Sequence, residues 1–349
     1  MQLNFSVREA ILDNNKPVQI GRFDLESLID DALEDIAEEV DSRDLDTDAA
    51  MQYLEEALEE DPEDLQAYNI LCALYWNDGI KDLASEFYEK AYKLALEKIP
   101  AGFKGQIPWG ESENRVFLEI AHGWLLCLMH EEKGRSAYNL ANKLLRWDPA
   151  DNLGTRFLIG DIKFIQGDYF GAMKHYLDHT DTRPTNWYQA ALIAFRDEDL
   201  VAACTHLRRG IAWNPYVAEG ILGRTLFADH FYWHGTNREN AQSASEYLEA
   251  WPREWSDEET DFVDWVFNHS SVLRERAAIT EIREKMSHKQ APESSKALIE
   301  ERNNFMRGID DTLSADLVKP IMNRWGEAIL PWDRVGHNGP ADVRTSQVY

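Results

Sequence analysis

Histidines one helical turn apart are the residues here whose spacing bears most directly on chemistry. His175 and His179 form one such pair, and His230 and His234 form another. On a helix each pair presents two imidazoles on one face, as two ligands to a metal would. Zinc needs three or four placed ligands, and neither pair carries the glutamate of HExxH. His179 falls where helices pack, and Phe231, Tyr232 and Trp233 surround the second pair. Both pairs therefore read as packing histidines, with no metal site and no cofactor expected. The sequence contains no P-loop, no GxGxxG after a strand, no GxSxG elbow and no DxDxDG calcium loop. With 63 acidic residues, carboxylate pairs approach catalytic spacing by chance, so they carry no information. No catalytic residue is expected, and the enzyme alternative is an uncharacterised metal-binding activity using the His pairs.

Cys72, Cys127 and Cys204 lie far apart with no CxxC pair, which argues against a disulfide framework and fits a reducing compartment. Arg8 and Glu9 interrupt the N-terminus before an apolar run develops, so it is not read as a secretory signal. The longest apolar stretch, Trp124 to Met129, is too short to span a bilayer. A cytoplasmic protein is expected. Its formal net charge is −27, with 36 basic residues against the acidic ones. That average field repels nucleic acid and anionic membrane, since phosphate binding rests on Lys and Arg, and it favours a basic protein or peptide.

The elements that must position any site follow a repeat. Tyr68, Leu71, Cys72 and Tyr75 share one helical face, and after Gly79 so do Ala84, Tyr88 and Ala91. That spacing predicts two short amphipathic helices joined by a turn. Ala50, Leu54, Ala57 and Pro62 reproduce the second half 34 residues earlier. Gly160, Gly167, Asp168, Tyr169, Ala172 and Tyr176 repeat the hairpin, and Trp187, Ala190, Ala191 and Ala194 lead into Ala203, Leu207, Gly210 and Pro215. A looser copy runs from Ala121, Trp124 and Leu125 to Ala137, Ala141, Leu144 and Pro149, with a turn about two residues short. Small residues let helices cross closely, and proline stops the second helix.

These positions resemble the tetratricopeptide repeat family, whose unit is about 34 residues. The resemblance covers roughly residues 48 to 250. It implies an all-α fold, a right-handed helical-hairpin solenoid over 48–286. An acidic capping helix would precede it within 1–47, and a linker and C-terminal helical tail would occupy 287–349. The capping helix is expected at 24–40, with Asp24 as N-cap. Its acidity reads as the polar outer face of a solenoid cap, as a lure for a basic partner, or as an autoinhibitory segment lying in the protein's own groove. At the tail, helices are expected over 297–309 and 314–330, with Ser314 as a cap.

In the resembled family the first helix of each hairpin lines a concave groove. Carried onto this chain, the groove positions are Asn69, Trp76 and Asn77, then Phe157, Asp161 and Phe164, then Tyr188, Leu192, Phe195 and Arg196. Half of them are aromatic, which suits a peptide held by a few buried anchors, although aromatic rows at this spacing are equally ordinary core. Trp109, in the loop 101–114, is a further possible anchor. The lysine and asparagine clamp of some members is not implied, because its places hold Asn69, Ala73, Phe157 and Asp161. The expected function is a scaffold or adaptor binding a protein segment in the groove. The alternative is a dedicated chaperone or immunity-type protein masking a basic or apolar client.

Overall fold

Four tight reversals, at Gly79, Glu132, Gly167 and Glu198, organise most of the helices, and each has positive φ (81°, 56°, 75° and 61°). The computed structural model describes residues 3–11, 17–24, 47–224, 239–249, 255–287, 292–323 and 325–334. Among these are fifteen α-helices, so the chain is predominantly helical. It divides into two compact units, Met1–Ala172 and Met173–Tyr349.

The first unit begins with β1 (Asn4–Ile11) and β2 (Pro17–Asp24), an antiparallel hairpin pairing Phe5 with Phe23 and Val7 with Gly21. Helices α1 (Thr47–Glu60), α2 (Leu65–Asn77), α3 (Lys81–Lys98), α4 (Ser112–His130) and α5 (Gly134–Trp147) follow. A 3-10 turn at Thr155–Leu158 leads into α6 (Ile159–Ile165), and α7 (Tyr169–Asp178) carries the chain across the boundary into the second unit. Each helix from α1 to α6 packs on its chain neighbour, and α2 also packs on α4. In the second unit come α8 (Asn186–Arg196), α9 (Leu200–Trp213), α10 (Pro215–Ile221), α11 (Ala241–Glu249), α12 (Asp257–Asn268), α13 (Ser270–Ser287), α14 (Pro292–Arg307) and α15 (Asp311–Leu317). Two-residue strands β3 (Ile321–Met322) and β4 (Ala328–Ile329) and a 3-10 turn (Pro331–Arg334) complete it.

The four reversals share one hydrogen-bond pattern. An N–H just past the positive-φ residue reaches back to the carbonyl five residues earlier: Ile80 to Tyr75 at 2.9 Å, Lys133 to Leu128 at 2.8 Å, Asp168 to Lys163 at 2.9 Å and Asp199 to Ala194 at 2.9 Å. The pattern satisfies the orphan carbonyls of a helix end and needs a left-handed residue at the bend. The turn in 114–149, read as about two residues short, has the same geometry as the rest, with Glu132 in the left-handed position as Glu198 is in the fourth reversal.

Close helix crossings follow from small residues. A Cβ at Gly123 would fall inside the Tyr88 ring, so α3 and α4 approach through that glycine. Gly210 on α9 faces the Tyr188 ring in the same way, with an added Cβ 3.0 Å from it. Core aromatics fill the first unit, where Phe117 lies 4.6 Å from Phe23 and 5.3 Å from Trp147, centroid to centroid. In the second unit Tyr188, Leu207, Tyr216, Phe262, Phe267 and Trp332 share one core.

The β-hairpin adds strands that the helical reading lacked; its alternating apolar residues are only eight long on each side. Asp24 ends β2, and the rest of the expected helix at 24–40 lies outside the described residues. Ser314 is not a cap: α15 starts earlier, with the Asp310 carboxylate accepting from Thr312 N at 3.0 Å. Ser314 is buried instead, where its hydroxyl accepts from Arg208 Nη1 at 2.8 Å, and 321–329 holds β3 and β4 in place of helix.

Candidate functional site

Asn69 and Trp76 lie two helical turns apart on α2, so both fall on one face, and that face looks onto α4. Asn69 Nδ2 donates to Glu119 Oε2 at 2.7 Å. At the other end the Trp76 ring stands edge-on to His130, 5.7 Å between centroids. Lys81 closes over Trp76, its Nζ 3.8 Å from the ring centre and donating to the Trp76 carbonyl at 2.5 Å. Burial lowers the Lys81 pKa. Burial likewise pushes the Glu119 carboxyl above the usual carboxylate range, against the opposing hydrogen bond from Asn69. Asn77, at the end of α2, is exposed. The α2/α4 face therefore carries a half-buried indole and a carboxyl whose pKa burial raises, with the Lys81 amine from the start of α3 closing over the indole. Those are the parts of a surface that takes an apolar anchor together with a hydrogen-bonding backbone.

Phe157, Asp161 and Phe164 follow at spacings of four and three through the 3-10 turn and α6, all half-buried. Phe164 packs edge-on against Tyr169 at 5.2 Å, and Tyr169 is 44% exposed beside an 85% exposed Phe170. In the second unit, Tyr188 and Leu192 are 0% and 1% exposed, so neither offers surface to a ligand in this arrangement. The Tyr188 hydroxyl donates to Asn214 O at 2.6 Å. Phe195 packs on Phe262 and Trp332, at 4.8 and 5.9 Å. Arg196 pairs with Glu259 through Nε to Oε1 at 2.7 Å and Nη2 to Oε2 at 3.3 Å. Burial disfavours the Glu259 charge, but Arg196 and the Ser256 amide outweigh it and hold the carboxyl below its usual range. Sequence position alone could not separate these inward residues of α8 from the outward ones of α2, since both follow the same helical spacing.

Trp109 is half-buried, with the Arg115 guanidinium 5.6 Å from its ring centre and Arg115 Nε donating to its carbonyl. Its loop packs back on the hairpin: Gly21 N donates to Gln106 O at 2.7 Å, and Gln106 N to Gln19 O at 2.8 Å. Buried Asn114 ties the two together, accepting from Phe23 N at 3.0 Å and donating to the carbonyls of Gly21 and Pro108, each at 3.1 Å. The Phe103 and Phe5 rings meet at 5.4 Å.

Neither family models nor curated proteins match this chain.

His175 and His179 stack at 4.3 Å, and the carbonyl of His175 lies 2.9 Å from His179 Nδ1. Among the described residues no group of three or more His, Cys, Asp or Glu could hold a metal ion. His230 and His234 lie outside them. The three cysteines are free and buried, and burial pushes the Cys127 and Cys204 thiols up to about 12 and about 11. No described helix is long and apolar enough to cross a membrane. Glu119, His130 and Lys81 were not read from sequence; Glu119 and His130 lie on the face that α4 turns toward α2, and Lys81 opens α3 just past the Gly79 turn.

Proposed function

We propose that this chain is a protein-binding scaffold of the tetratricopeptide kind, holding a segment of another protein on the face shared by α2 and α4. The observation that carries the reading is the recurrence of one hairpin turn at Gly79, Glu132, Gly167 and Glu198, with the first helices α2 and α4 packed side by side. Repetition of one hairpin is how such arrays build a long ligand surface. Trp76 supplies the anchor, and Phe164 a second one further along. The scaffold assigns no reaction to the chain.

The test is capture from native lysate with the wild-type chain and with Trp76→Ala/Phe164→Ala, followed by titration of each against the purified captured protein. Phe195 is left intact because it packs in the core. Loss of about 2 kcal/mol or more of binding in a variant that keeps its helical circular dichroism supports the surface. Equal binding by both proteins removes it.

The net charge of −27, with twelve acidic residues between Asp24 and Asp48, favours a second reading as a chaperone masking a basic client. Binding that weakens steeply with salt, and that survives the Trp76 and Phe164 changes, would select this reading.

A further inference from the structure

The second unit contains a cleft of about 520 Å³, within the range of small-molecule sites, walled by Trp187 and Arg209, Trp213 and Met306, and Arg302 and Arg307. Three arginines in one cleft are out of keeping with so acidic a chain, and Asp181 is the one carboxylate in the lining.

Arg209 Nε and Nη2 both donate to a single backbone carbonyl, Ile309 O, at 3.1 and 2.9 Å, and this guanidinium makes no ion pair among the described residues, the Asp311 and Asp310 carboxylates acting on it only from beyond contact. Arg307 makes no hydrogen bond or ion pair among the described residues either, and it is exposed. Arg302 and Arg283 both pair with the buried Glu239 carboxylate, so the head of a ligand is left to Arg209 and Arg307. Polar groups in the lining also lack partners. Among the described residues the Trp187 indole N–H is buried without an acceptor, and the Asn303 amide is half-buried without a bond. The apolar wall is held in place by the same arginines: Arg209 lies 5.0 Å from the Trp187 ring centre and Arg302 4.8 Å from that of Trp213.

We infer that this cleft binds a small organic anion, a phosphate or carboxylate head met by Arg209 and Arg307 and an apolar body set against Trp213 and Met306. An anion supplies acceptor atoms for the Arg307 guanidinium, the indole N–H and the Asn303 amide and a counter-charge for Arg209, and the paired oxygens of a carboxylate or phosphate suit an arginine fork. The inference does not depend on the protein-binding reading, which concerns the other unit.

The test is isothermal titration of the full chain with phenyl phosphate, benzoate and inorganic phosphate. Saturable one-to-one binding of phenyl phosphate or benzoate is expected, the tighter of the two naming the head group. Arg307→Glu/Asn303→Asp should weaken it about tenfold or more, since the change replaces attraction by repulsion at the head. If the double variant does not fold, Arg307→Ala is read in the same way, because that side chain holds no structural contact among the described residues. Absence of saturable heat for both organic anions up to ~10 mM overturns the inference, as does binding unchanged in a folded variant. Inorganic phosphate binding as tightly as phenyl phosphate overturns the role given to the apolar wall.

Discussion

At Glu132 and Glu198 a side chain with a Cβ occupies the left-handed backbone position that Gly79 and Gly167 fill without strain. Replacing either glutamate with glycine removes that strain but loosens the unfolded chain, and at positive φ the first effect dominates. Glu132→Gly and Glu198→Gly should each raise stability by about 0.5–1 kcal/mol, and Gly79→Ala and Gly167→Ala should lower it by about 1 kcal/mol, measured by urea unfolding. A second residue sets an acid limit. His206 stacks on Trp187 at 5.4 Å, and burial, then the Arg209 charge, pull its pKa from an ordinary 6.5 to about 4. Between those values the unfolded chain binds a proton that the folded chain refuses, so stability falls as pH drops from 6.5 to about 4. The loss amounts to about 3 kcal/mol, and His206→Phe should flatten that limb of the pH–stability curve. The turn glycines were legible in sequence because glycine advertises positive φ, whereas Glu132 and Glu198 gave no sign of it. His206 was likewise invisible, since its pKa depends first on how deeply the packing of the second unit buries it, which its own spacing does not reveal.

Among the elements, the N-terminal hairpin is held by Asn114 at the start of α4 rather than by its own two strands, which would be marginal alone. Arg8 and Arg22 add exposed pairs to Glu111 and Glu113, worth little individually. Asn114→Ala leaves the Phe23 amide and the Gly21 and Pro108 carbonyls without this partner, so it should cost about 2–3 kcal/mol. Hydrogen exchange of Gly21 and Phe23 amides should rise with it, while α2 and α3 keep their protection. The helical pairs themselves were legible, because small residues at crossing points and apolar residues at helical spacing point inward together. The strands were not: eight residues with a mixed alternation compete poorly against a long helical pattern, and their partner loop lies some ninety residues further on. The groove positions on α2 and α8 were indistinguishable in sequence. The structure separates them, since Trp76 reaches the surface and Tyr188 faces Gly210.

At the scale of the whole molecule, each unit keeps its own core, and the second depends on charges as well as apolar packing. Glu239, 1% exposed, accepts from Arg283 at 3.3 Å and from Arg302 at 3.2 Å, while Arg283 also donates to Trp213 O at 2.7 Å. Glu239→Gln removes the carboxylate that both buried arginines share and should destabilise the protein by about 3–5 kcal/mol in urea unfolding. Replacing all three side chains with Met or Leu should recover most of that loss, because uncharged side chains carry no desolvation penalty. Trp332, fully buried, meets Phe195 at 5.9 Å and Phe262 at 4.9 Å, although 137 residues of chain (195 to 332) separate it from the first of them. On the ribosome this places the two units in different positions. The first can close once its last helices have emerged. The second must wait, with Phe195 and Phe262 uncovered, until residue 332 has been made, and for that interval it is the part of the nascent chain that most needs protection from aggregation.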